Sequence, residues 1–264
     1  MQNDMSILTG IISFCIFFTS CSQIDEPEIL TPKVRVIAHR GFWQSRGAAQ
    51  NSIVSLENAE GIGVYGAEFD VHLTADSVPI VFHDITVKKM KIQEINYAAI
   101  QQIALANGEK IPTLREYLEA ARRTKRIRLI LELKPHATPQ RNRLAARMVV
   151  DLVREKKLQH RTDYISFSLD AAREFIRLAP EAEVYYLNGE LSPEQLKQEG
   201  FAGLDYHYSV MRKNRQWFND AKRLGLGINI WTVNDTTLMR EMIDAGVDFI
   251  TTDIPVEALK FIQK

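Results

Sequence analysis

From residue 34 onward two hydrophobic patterns take turns along the chain. Short runs rich in β-branched and aromatic residues predict strands at 34–39, 67–72, 79–83, 127–133, 164–168, 183–187, 203–208, 227–233 and 249–253. Segments between them predict helices near 52–62, 93–105, 113–124, 139–157, 170–179, 192–199, 213–224, 235–245 and 255–262. Ser192-Pro193 followed by Glu194 and Gln195 has the form of a helix start, and Gly200, Gly225 and Gly246 sit where helices should stop. Strand–helix alternation of this length points to a parallel α/β architecture. Nine strands are one too many for an eight-stranded ring, but only "LTADSV" joins the second run to the third. A parallel crossover needs about a dozen residues or more, so these two runs form a hairpin. The fold class is therefore α/β, a (β/α)8 TIM-type barrel with a short antiparallel hairpin arm. A turn near Asp76 and Ser77 makes partner numbers sum to about 153, an antiparallel ladder that sets Asp70 opposite His83.

The 264 residues are 45% hydrophobic, enough for one sizeable core. The 33 basic and 33 acidic residues cancel, and no global positive field argues for nucleic acid. The amino end reads differently. The apolar run 7–18 is too short for a comfortable span and fits a signal-peptide core. "FTSC" at 18–21 resembles a bacterial lipobox, although no Lys or Arg precedes the apolar run. The expectation is a signal peptide at 1–20, a lipidated Cys21 with a polar tether to residue 33, and one catalytic domain over 34–264. The product would be a cell-envelope lipoprotein on the periplasmic or outer-membrane side, held to the membrane by its lipid. Cleavage would remove Cys15 and acylation would consume Cys21, leaving neither a free thiol nor a disulfide.

Barrel chemistry gathers at the carboxyl ends of strands. There the sequence sets "AHRG" at 38–41, "EFDVHLTADSVPIVFHD" at 68–84 and "LELKP" at 131–135. Glu68, Asp70 and Glu132 are three hard oxygen donors, a set suited to Mg²⁺ or Ca²⁺ rather than zinc. Arg40 and Lys134 add fixed positive charge that suits phosphate. His39 and His83, on separate strands, can serve as paired general acid and base near neutral pH. Together these groups describe cleavage of a phosphodiester. Taken alone, an E-x-D on a strand is usually a solvated face, so the weight lies in the combination.

With "IPTLREYL" at 111–118, "SFS" at 166–168, "WTVND" at 231–235 and "TTDIP" at 251–255, the chain resembles the glycerophosphodiester phosphodiesterase family over residues 34–262. The resemblance implies a barrel enzyme that uses a divalent cation to hydrolyse a small glycerophosphodiester to glycerol 3-phosphate and an alcohol. It implies His39 and His83 as catalytic residues and Glu68, Asp70 and Glu132 as metal ligands. It further implies Arg40 and Lys134 as phosphate contacts and Trp231 as the aromatic wall of the substrate cleft. One position departs: where the family usually has Pro-Glu-Asn, this chain reads "AQN", so Gln50 stands at a substrate-side position without an acid's charge. The alternatives are a related phosphodiesterase acting on inositol or lysophospholipid substrates, and a non-catalytic lipoprotein that binds phosphoglycerol.

Other residues carry weaker expectations. His72 reads as a support for the ligands or a polar rim residue, and His207 as a cleft-lining or ordinary residue. His136 and His160 read as surface residues, and Trp217 as core. Asp253 either orients a neighbour or caps a helix before Pro255. Trp43 and Arg46 read as cleft rim or surface loop.

Overall fold

A parallel strand ladder runs the full circle of the molecule and closes on itself. The structure, a computed structural model, describes residues 34–262. The expected signal peptide, Cys21 and tether lie outside the described residues. In chain order the elements are β1 (Arg35–Ala38), α1 (Ile53–Ile62), β2 (Gly66–Leu73), β3 (Pro79–Val81), β4 (Thr86–Val87), β5 (Met90–Lys91), α2 (Leu114–Ala121) and β6 (Arg128–Leu133). Then come α3 (Pro139–Glu155), β7 (Thr162–Ser166), α4 (Leu169–Leu178), β8 (Val184–Tyr186), α5 (Pro193–Glu199), β9 (Gly203–His207), α6 (Tyr208–Lys213) and α7 (Gln216–Leu224). The chain continues through β10 (Gly227–Trp231), α8 (Thr236–Ala245), β11 (Phe249–Thr252) and α9 (Pro255–Ile262). The order β1-β11-β10-β9-β8-β7-β6-β2 closes through a β1–β2 pairing, giving the eight-stranded parallel barrel, and β3 adds the antiparallel arm beside β2.

The helix ends follow the sequence signals. Ser192 and Gln195 form a capping box at the start of α5, and Gly200, Gly225 and Gly246 end α5, α7 and α8 in left-handed conformation. Apolar helix faces pack on the outside of the strands through Leu56, Leu118, Val149, Phe175 and Phe218. A second cluster fills the barrel interior, with Ile37, Ile130, Ile165, Tyr185, Leu187 and Phe249. The ring of Tyr185 crosses the interior where β9 and β10 have no side chains. A Cβ on Gly203 would lie 2.5 Å from its Cε1, and one on Gly227 2.6 Å from its hydroxyl.

Three local expectations need correction. The hairpin pairs Val71 with Val81, His72 with Ile80 and Leu73 with Pro79, so partner numbers sum to 152 rather than 153. The turn is a three-residue loop, Ala75–Ser77, with Ser77 left-handed at φ 65° and Thr74 N–H donating to Val78 O. Asp70 is therefore opposite Phe82, whose N–H donates to its carbonyl at 3.0 Å, and His83 lies one residue beyond the ladder. The helix expected at 93–105 is instead two 3-10 turns, Ile92–Glu94 and Tyr97–Ala99, preceded by the β4–β5 hairpin. The carbonyl of Ile95 accepts from Ala75 N–H and Tyr97 N–H donates to Asp76, so neither group is free for an α-helical ladder. The helix expected from 213 begins at Gln216. Asn214 turns back to the Val210 carbonyl at 3.0 Å and ends a separate helix, α6.

Inside the barrel Asp205 is 2% exposed, and burial lifts its carboxyl to about 8. The folded chain keeps a proton there that the unfolded chain releases near pH ~4, so stability falls as pH rises across that window. The melting temperature of the native chain should accordingly drop more steeply between pH 5 and 8 than that of Asp205→Asn, measured with no divalent ion added. Parallel curves would show that Asp205 is not the group responsible.

Candidate active site

The site is assembled where β1, β2 and β6 end side by side. Asp70 and Glu132 are cross-strand neighbours in the β2–β6 ladder, and Glu68 lies two residues earlier on the same face of β2. Each of the three has an oxygen within 4.8 Å of the others, and all are buried. The Lys134 ammonium lies 2.6 Å from Asp70 Oδ1 and 2.7 Å from Glu132 Oε1. Among the described residues, Glu68 Oε1 is buried without a partner.

These contacts split the three acids. Burial, then the charges of Asp70 and Glu132, push the Glu68 carboxyl well above its ordinary range. Burial works against the Asp70 carboxylate too, yet Lys134, His83 and the Asn51 amide hold it down at about 2. Burial outweighs Lys134 at Glu132 and lifts it to about 7. An unpartnered buried oxygen, and two carboxyls pushed toward protonation at Glu68 and Glu132, are what a hard divalent cation would relieve. The donor set thus fits the ion, with Glu68, Asp70 and Glu132 as its holders.

The turn after β1 supplies the opposite wall. Arg40 is left-handed at φ 56°, which lets its backbone N–H donate to Glu68 Oε2 at 2.8 Å. Gly41 follows at φ 74°, where a Cβ would lie 2.4 Å from the Ser55 hydroxyl. The Arg40 side chain donates to Gln50 Oε1 at 2.7 Å, and its Nε lies 3.8 Å from Asp70 Oδ2. Asn51 binds Asp70 twice: its amide nitrogen donates to Oδ2 at 2.7 Å, and its oxygen accepts from the Asp70 N–H at 3.1 Å.

Both histidines reach the same pocket. His39 Nδ1 lies 2.8 Å from Asp253 Oδ1, and its Nε2 is 4.0 Å from Glu68 Oε2. Asp253 also accepts from Trp43 Nε1 at 3.0 Å and Asn234 Nδ2 at 2.6 Å. Burial opposes this carboxylate, but its three donors hold it at about 2. Of the two expectations for Asp253, the structure favours the orienting one. His83 Nδ1 lies 2.8 Å from Asp84 Oδ1, and burial lowers the pKa of His83. The pocket, about 130 Å³, is lined on its polar side by His39, Arg40, Glu68, His83, Glu132 and Lys134, and on its apolar side by Ile165, Phe167, Leu187 and Trp231. Trp231 is fixed by its Nε1 donating to Asp205 O at 2.8 Å and by edge contacts with Phe167 and His207.

His72 is buried beneath this wall, with Nε2 3.2 Å from the His83 carbonyl, and so supports His83 rather than the carboxylates. His136, expected at the surface, is buried. Its N–H donates to Asn142 Oδ1 at the start of α3, and its Nε2 accepts from Leu73 N–H at 3.1 Å. His207 meets Trp231 edge-on and caps α6 instead of lining the pocket, Trp217 packs on the core, and Arg46 and His160 are exposed. The anchoring roles of Asn51 and Asn234 had no clear sequence signal beyond their place in "AQN" and "WTVND".

A family model described as "Glycerophosphoryl diester phosphodiesterase family" matches residues 39–257. The chain is similar to a glycerophosphodiester phosphodiesterase from Parabacteroides distasonis ATCC 8503, at 57% identity and TM-score 0.86, over 88% of this chain and 97% of that one. It is 28% identical to the glycerophosphodiester phosphodiesterase of Caldanaerobacter subterraneus subsp. tengcongensis, over 88% of this chain and 99% of that protein. It also matches an Oleispira antarctica phosphodiesterase solved in complex with the product sn-glycerol-3-phosphate, at 27% identity and TM-score 0.74, over 87% of this chain and 97% of that one.

If the three acids hold a cation, excess Mg²⁺ or Ca²⁺ should raise the melting temperature of the full chain, by the equivalent of ~2.7 kcal/mol at a hundred times Kd. Glu132→Gln should lose most of that rise. An undiminished rise in the variant would assign the ion to other residues.

Proposed function

The chain belongs to the glycerophosphoryl diester phosphodiesterase family and is a phosphodiester-hydrolysing enzyme, and from that premise we propose that it converts glycerophosphodiesters to glycerol 3-phosphate and an alcohol, with a divalent cation at Glu68, Asp70 and Glu132 and with His39 and His83 as the proton carriers. The observation that carries this reading is the pair of anchored imidazoles on one pocket with the three acids. Each ring commits Nδ1 to a carboxylate, Asp253 or Asp84, which leaves Nε2 as the nitrogen available for proton transfer. A protein that only bound phosphoglycerol would need no such pair.

The bound cation would act as a Lewis acid on the phosphate and draw charge from its oxygens. The protein's own groups do the rest. Arg40 and Lys134 face the phosphate and offset the charge that grows on its oxygens as the attacking bond forms. One imidazole takes the proton of the nucleophile, either water or the substrate's own vicinal hydroxyl, and the other gives a proton to the departing alkoxide; where the vicinal hydroxyl attacks, water then opens the resulting cyclic phosphate to glycerol 3-phosphate. Gln50 aligns the Arg40 guanidinium through a neutral oxygen and so adds no negative charge beside it. Trp231 and Phe167 form the dry side of the pocket, where electrostatic contacts are less screened.

Replacing either His39 or His83 by Ala should cut kcat by ~100-fold or more, and thorough chelation should abolish turnover. Near-native turnover in either variant refutes the proton carriers, and activity after chelation refutes the cation. Asp253→Asn should lower kcat by about tenfold or more with little change in KM, because it loosens the orientation of His39 without touching the substrate. A loss expressed only in KM would make Asp253 a binding or folding residue instead.

A further inference from the structure

A second cleft adjoins the catalytic pocket and has no part in the chemistry above. It lies between the loop after β1 and the loop 103–111, with a volume of about 460 Å³. Trp43, Ala48 and Ala49 form one wall, Leu105 and Ala106 the other, and Phe82 adjoins both; no charged side chain lines it. The walls are tied together without any ligand. Asn107 Nδ2 donates to Gly47 O at 3.0 Å, and Glu109 Oε2 accepts from the Ile53 N–H at 3.1 Å. The far loop is itself braced by Leu105 N–H on Glu109 O at 2.7 Å and Ile111 N–H on Ile103 O at 3.1 Å.

Three lining residues lead into the catalytic machinery. Trp43 donates to the same Asp253 oxygen that holds His39. Gln50 takes the guanidinium of Arg40, and Phe82 is the residue before His83. The catalytic pocket, at about 130 Å³, has room for a phosphate and a small substituent. A phosphodiester has two substituents, and for a larger second one this cleft is the apolar surface that adjoins the pocket at Arg40 and His83. An ionic head group would find no partner in the cleft, whereas an apolar chain would exchange water for Trp43, Phe82 and Leu105.

We propose that this cleft binds the alcohol half of the diester and selects alcohols carrying an apolar chain. The inference rests on the hydrolytic reading above and names the substrate class of that same site. Its binding energy appears as affinity, not as a faster chemical step, because the cleft touches none of the reacting atoms.

The test is kcat/KM on glycerol-phosphate diesters of ethanol, butanol and octanol, kept below micelle-forming concentration, for the native full chain and for Ala104→Arg. Ala104 is exposed on the cleft's outer wall and outside the catalytic machinery, so its replacement sends a cation into the cleft. In the native chain kcat/KM should rise at least about tenfold from the ethyl to the octyl ester, mostly through KM, since each buried methylene is worth ~0.8 kcal/mol. In Ala104→Arg the rise should vanish while the ethyl ester is hydrolysed within about twofold of the native rate. Ala106→Arg, on the same wall, is a second variant should the first misfold by circular dichroism. Hydrolysis of the ethyl ester with no rise in the native chain, or an equal rise in a folded variant, overturns the cleft assignment alone. Failure to hydrolyse any of the three esters overturns the hydrolytic reading and the cleft with it.

Discussion

Three carboxylates packed within 4.8 Å of one another and shielded from water repel. One ammonium, from Lys134, touches two of them, and a single positive charge cannot neutralise three negatives. The chain meets the remainder with the Arg40 guanidinium, 3.8 Å from Asp70, and with fixed dipoles: the Arg40 N–H on Glu68 and the Asn51 amide on Asp70. Even so, Glu68 and Glu132 are pushed toward protonation while Asp70 stays ionised. Most of the loop structure around the site answers this electrostatic problem. The left-handed turn at Arg40–Gly41 exists to bring an N–H to Glu68, and the left-handed Asn51 at φ 62° to bring an amide to Asp70.

The two pocket histidines depend on the same frame. His39 is gripped from behind by Asp253, whose second oxygen is tied to Asn234 and whose first is shared with Trp43. Three loops, after β1, β10 and β11, therefore converge on one carboxylate. His83 is held more lightly, by an exposed neighbour at Nδ1 and by His72 beneath its carbonyl. The two rings differ in how firmly they are placed as well as in which charges surround them.

Much of this was legible in the sequence because it was written in short-range patterns. Strand and helix periodicity, together with the short "LTADSV" join between the second and third runs, pointed to the barrel and its arm. The metal-type acids followed from strand-face alternation at Glu68 and Asp70 and from the matching position of Glu132. What failed depended on contacts that no local window contains. The hairpin register was off by one because an even loop and an odd loop look alike until Ser77 adopts its left-handed backbone. His136 was misread as exposed because its burial is decided by Asn142, at the start of the following helix. The 93–105 segment has apolar residues enough for a helix, but its backbone groups are spent on the hairpin turn.

The ring of strands closes on a short seam. β1 and β2 pair only through Ile37 with Gly66 and Ala38 with Ala67. Immediately past that seam come His39 and Arg40 in the turn after β1 and Glu68 on β2. This seam, as short as those of β8–β9 and β10–β11, is thus the one that sets the His39 imidazole beside the Glu68 carboxyl. Latching this joint is therefore also what completes the pocket: a chain with its other staves paired but β1 and β2 apart would lack the juxtaposition of His39 and Glu68.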